Sequence, residues 1–141
     1  MGDDGFVEPI VLDRRFRVWR YGVGHSQLLL HAHADAADFE HLNVLFEDVR
    51  AVKLRSSYQP LILAPAGNPV RDDILAFADI PERHQHRFLS LTPSTSPEAG
   101  FVLCARATVL AVDKTNDQTP NLSWPDGARM IHTLRHHDQA S

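Results

Sequence analysis

The chain is poor in the features that announce chemistry. It has one cysteine, Cys104, so no intramolecular disulfide can form. Lysine occurs only at Lys53 and Lys114, and the formal net charge is −4. The basic footprint of a nucleic-acid binder is therefore missing, and an acidic balance disfavours anionic membranes. No run approaches the ~18 apolar residues of a membrane span. The first residues, MGDDGFVEPIVLDRR, lack a basic segment followed by an apolar core, so no signal peptide is expected and the reading is cytoplasmic. No glycine-rich phosphate loop is present, since Gly22-Val-Gly24 stands alone, and Ser26 does not sit in a G-x-S-x-G elbow. No cofactor is expected.

What the chain does have is a dense series of strand-like segments. Its 141 residues fit one domain spanning 1–141, with 1–5 and 136–141 expected to fray. A hydrophobic fraction of 43% is enough for a core and argues against bulk disorder. Phe6 to Leu12 reads as an edge strand, because Pro9 is tolerated there. Arg15 to Val23 and His25 to His33 read as a hairpin around the Gly22-Val-Gly24 turn. Leu42 to Phe46 and Val49 to Leu54 flank a turn or bulge at Glu47-Asp48. Tyr58 to Ala64 and Arg87 to Leu91 complete the shorter strands. Phe101 to Val112 reads as the longest strand, with Leu103, Ala105, Ala107, Val109 and Ala111 on one face.

The period changes only at Asp72 to Ile80, where Ile74, Leu75, Phe77 and Ala78 have helical spacing. Asp72 or Asp73 would cap this helix and Pro81 would end it. The last segment, from Gly127, suits either a short helix or a late edge strand fraying at His136. The sum is a mainly β fold: an antiparallel β-sandwich or barrel of about seven to eight strands with one short helix.

Few constellations carry chemistry. His31-Ala-His33 is the foremost, because residues two apart on a strand share a face and two imidazoles can hold a divalent metal. Glu40 or His41 would supply a third ligand. The order Gly24, His31, His33, Glu40 resembles the cupin motif. It departs from it in the long gap before Glu40, in the missing glycine after it, and in the lack of a histidine after Pro65-Ala-Gly67. The simpler alternative, which the sequence favours, is two solvent-facing histidines opposite Leu28, Leu30 and Ala32.

His84-Gln-His86 lies between Arg83 and Arg87, which oppose a cation, and reads as a loop. His136-His137 reads as a mobile tail, and Glu47-Asp48 as exposed charge. Cys104, in an apolar run, reads as a buried inert thiol. Arg17, Trp19 and Tyr21 alternate on one strand and would form a recognition patch, or Trp19 would fill the core. No residue is assigned a catalytic, cofactor or metal role on these grounds alone.

The segments FRVWRYGVGHSQLLL and NVLFEDVRAVKL, from Phe16 to Leu54, with the strand from Gly100 to Val112, resemble a family of small bacterial proteins of uncharacterised function. The resemblance implies a β-rich domain and transfers no catalytic residue. By analogy with acidic β-rich immunity proteins, the leading expectation is a non-enzymatic domain that binds another protein. The alternatives are a cupin-like metal-dependent enzyme using His31 and His33, and a β-barrel that binds a small ligand.

Overall fold

Side chains that alternate along a strand must be buried on one face or both, and here that requirement builds two antiparallel sheets. The computed structural model describes residues 9–22, 26–34, 40–113 and 129–135. The first sheet contains β1 (Ile10–Leu12), β7 (Leu61–Pro65), β8 (Leu89–Thr92), β9 (Phe101–Cys104) and β5 (Ala51–Lys53), in that order. The second runs β11 (Arg129–Arg135), β10 (Arg106–Asp113), β4 (Glu40–Glu47), β3 (Gln27–Ala32), β2 (Phe16–Gly22) and β6 (Ser57–Tyr58). The expected barrel alternative is not realised: the two sheets form a sandwich, with no closed barrel.

The interior lies between them. Leu61, Leu63, Leu91, Val102 and Cys104 from the first sheet meet Phe16, Leu28, Leu30, Val44, Phe46 and Val109 from the second. Burying side chains of this size contributes about 1.5–3 kcal/mol each, which is the main force holding the sheets together. Tyr58 ties the end of the sandwich. Its hydroxyl accepts the Arg55 N–H at 2.8 Å and donates to the Ala99 carbonyl at 2.6 Å, so the buried phenol is satisfied.

The described residues contain eleven strands, more than the seven or eight expected. One cause is the predicted long strand from Phe101 to Val112. It breaks at Ala105, and its halves enter different sheets. Leu103 and Ala105 consequently pack with Ile74, Leu75 and Phe88 on the outside of the first sheet, whereas Ala107 and Val109 face the interior. A single strand face was therefore the wrong expectation. The corner is held by the Ala105 N–H donating to the Glu47 carbonyl and by the Arg106–Glu47 ion pair.

The helix also differs from its expected bounds. It spans α1 (Asn68–Phe77), with Gly67 at its N-cap and no side-chain cap. The helix starts four residues before the expected Asp72, with Pro69 in its first turn, where proline lacks only an N–H that has no helical partner. Half-buried Arg71 fastens α1 by donating to the Phe88 and Gln85 carbonyls and to Ser90 Oγ. The segment before β8 is a 3-10 helix, Glu82–Arg87. The C-terminal ambiguity resolves in favour of an edge strand, β11, rather than a helix. Residues 1–8, 114–128 and 136–141, which carry several expectations, lie outside the described residues. No helix among the described residues is long and apolar enough to cross a membrane.

Candidate metal centre

β3 and β4 are central strands of the second sheet, and their register places four polar side chains together. His31 pairs with Asn43, and Ala32 pairs with Leu42. Continued by one step, the same register sets His33 opposite His41. Leu28, Leu30, Val44 and Phe46 point into the sandwich, so His31, His33, His41 and Asn43 fall on the opposite, outer face. Adjacent Glu40 is turned the other way by strand alternation, and its carboxylate pairs with Arg129 at 2.7 Å. Of the two candidates for a third histidine partner, the fold brings in His41 and not Glu40.

The three imidazoles gather in one cluster. One nitrogen from each ring lies within 4.8 Å of those of the other two, so the rings must draw slightly closer to hold one ion. Ring centres are 5.6 Å apart for His31 and His33, 5.4 Å for His31 and His41, and 4.4 Å for His33 and His41. Imidazoles on one tetrahedral zinc have ring centres about 5 Å apart and bound nitrogens about 3.3 Å apart, given zinc–nitrogen bonds of about 2.0–2.1 Å. His31 Nε2 and His33 Nδ1 are 3.4 Å apart.

Hydrogen bonds decide which nitrogens carry lone pairs. His31 Nδ1 lies 2.6 Å from Asn43 Oδ1, a carbonyl that can only accept. The proton therefore sits on His31 Nδ1, and Nε2 is left as a ligand or acceptor facing His33. Such an orienting partner is the usual companion of a metal-binding histidine. Burial lowers the pKa of His31. The bond to Asn43 works in the other direction, and nearby His41, His33 and Arg14 add to the lowering. A neutral imidazole is the form that binds metal.

His41 is held differently. The Ala34 N–H donates to its Nδ1 at 2.8 Å, which places the proton of a neutral ring on Nε2. Coordination through Nδ1 exchanges that hydrogen bond for a bond to the ion. His31 and His33 are thus the better prepared pair, and His41 joins at the cost of one hydrogen bond.

A cleft of about 660 Å³ opens beside the histidines, with His31 and His33 in its lining. Arg14, Arg15 and Arg17 line it from the β1–β2 connection and the start of β2, together with Asp13. Arg14 Nη2 donates to the carbonyls of His33 and Glu40, at 3.0 and 2.9 Å, and so clamps the ends of β3 and β4. Trp19 lies against His31 with ring centres 4.8 Å apart and remains 42% exposed.

The expected Arg17–Trp19–Tyr21 face is not formed. A β-bulge between Val18 and Arg20 shifts the register, so Arg17 pairs with His31 and Tyr21 with Leu28, residues on opposite faces. Among the other sequence candidates, His84 and His86 sit in the 3-10 helix among arginines, and Asp48 pairs with Arg50. Gly67 caps α1. Gly24 and the His136-His137 pair lie outside the described residues. Arg17 and Trp19 were singled out in the sequence, but not as neighbours of the histidines, and Asn43, Arg14 and Arg15 were missed. Asn43 was open to discovery, since it follows His41 by two residues on a strand. No protein-family model, curated protein or solved structure matches this chain.

Proposed function

We propose that the protein binds a divalent transition-metal ion through His31, His33 and His41. Three histidines meeting from two adjacent strands, with His31 oriented by Asn43, is the observation that carries this reading. All-nitrogen imidazole sets suit zinc, copper, nickel and iron. Three protein ligands leave a fourth tetrahedral position for water or a small molecule, the arrangement of reactive rather than closed structural zinc sites. An ion there would polarise a bound oxygen and lower the pKa of a bound water.

The expectation of a protein-binding surface has less specific support. It draws on the exposed Trp19 and Tyr21, which the bulge divides between two faces.

Zinc titration of the untagged protein tests the metal reading. Equilibrium dialysis is expected to give one ion per chain, lost in the His31→Ala/His33→Ala double variant. An ion that binds only the folded state stabilises it by roughly 2.7 kcal/mol at a hundredfold excess over its dissociation constant. The wild-type melting temperature should therefore rise with zinc and fall with chelator, while the double variant responds to neither. Equal zinc uptake by both proteins would refute the assignment.

A further inference from the structure

We propose that the cleft beside the histidines takes a small organic anion. Its carboxylate or phosphate head is held by Arg15 and Arg17, and its planar body lies on Trp19. The charge of the lining is the first argument. Three arginines line the cleft against one carboxylate, Asp13. Like charges gathered around one cavity repel, and an anionic ligand relieves that repulsion.

The second argument is what each arginine does. Arg14 is committed to the carbonyls of His33 and Glu40. The side chains of Arg15 and Arg17 are exposed and form no hydrogen bond or ion pair among the described residues. Their planar guanidinium groups match carboxylate and phosphate oxygens in a two-pronged fashion. Register supplies the third argument: Arg17 pairs directly with His31, so a head group bound to it sits next to the histidines.

The fourth is Trp19, the extra residue of the bulge. Its ring rests on His31 yet stays nearly half exposed over the cleft, where a flat apolar body can cover it. The volume of about 660 Å³ falls within the range of small-molecule sites. Contact between the head group and the ion rests on the metal reading above; the arginine and tryptophan contacts do not.

Isothermal titration of the untagged chain with phthalate and with phenyl phosphate tests the inference, with neutral phthalamide as control. Each probe is run on zinc-loaded protein and on protein stripped with a chelating resin. At least one anion should bind, phthalamide should not, and the Arg15→Ala/Arg17→Ala variant should bind at least roughly tenfold more weakly. Both arginines are exposed, so this variant keeps the wild-type circular dichroism spectrum. A preference for phthalate or for phenyl phosphate identifies the head group as carboxylate or phosphate. Anion binding that persists without zinc supports the arginine site even if the metal reading fails its own dialysis test. Zinc uptake without binding of either anion, or equal anion binding by wild type and the arginine variant, overturns the inference.

Discussion

Cys104 and His31 show how the surroundings of one side chain decide its chemistry. Cys104 is fully buried between the sheets, and loss of water pushes its thiol well above the usual range. Glu47 and Asp48 nearby push the same way. The thiol therefore stays protonated and inert at pH values where free cysteines ionise. Labelling by Ellman's reagent should be at least roughly a hundredfold slower in the native protein than in concentrated urea, because reaction requires opening of the sandwich. Native labelling at the rate of a free thiol would contradict this. His31 is also buried, but its ring nitrogens meet Asn43 and His33. Partners of this kind offset the cost of burying a polar ring, whereas the buried thiol packs as a small hydrophobe.

At the scale of elements, the bends and breaks matter more than the strands between them. Gly100 leads into β9 with φ of +134°, a conformation that side-chain-bearing residues avoid. A Cβ there would also run into the Lys53 backbone carbonyl and the Tyr58 hydroxyl. Gly100→Ala should therefore lower unfolding free energy by about 2 kcal/mol or more in urea denaturation, and a change under about 0.5 kcal/mol would argue against this account.

These same irregular points set the limit of what the sequence reveals. The strands β2, β3, β4 and β8 were legible because their apolar residues alternate or run together with clear turn signals, and β7 only in part, since the expected strand from Tyr58 to Ala64 also takes in the end of β6 in the other sheet. The break at Ala105 was not, because alanine continues an apolar pattern whether the strand persists or changes sheet. The bulge at Trp19 was likewise hidden, since period-two reasoning assumes an unbroken ladder.

At the scale of the whole molecule, the two faces of the second sheet divide the labour. The inner face carries the core that joins the sheets, and the outer face of β3 and β4 carries the histidines. His31-Ala-His33 was visible in the sequence as a pair. The third member depended on the β3–β4 register, a long-range fact that local pattern does not encode. The arginines of the β1–β2 connection came to the same cleft through sheet order, which is equally invisible in one dimension.

The proposed metal site needs one ion position shared by three histidines. Anomalous diffraction tests it most directly, on crystals of the untagged protein grown with zinc and measured above and below the zinc absorption edge. One strong peak is expected on the outer face of β3 and β4, at about 2.0–2.1 Å from a nitrogen of each of His31, His33 and His41. Absence of a peak there, with the His31–Asn43 and His41–Ala34 hydrogen bonds intact, would contradict it.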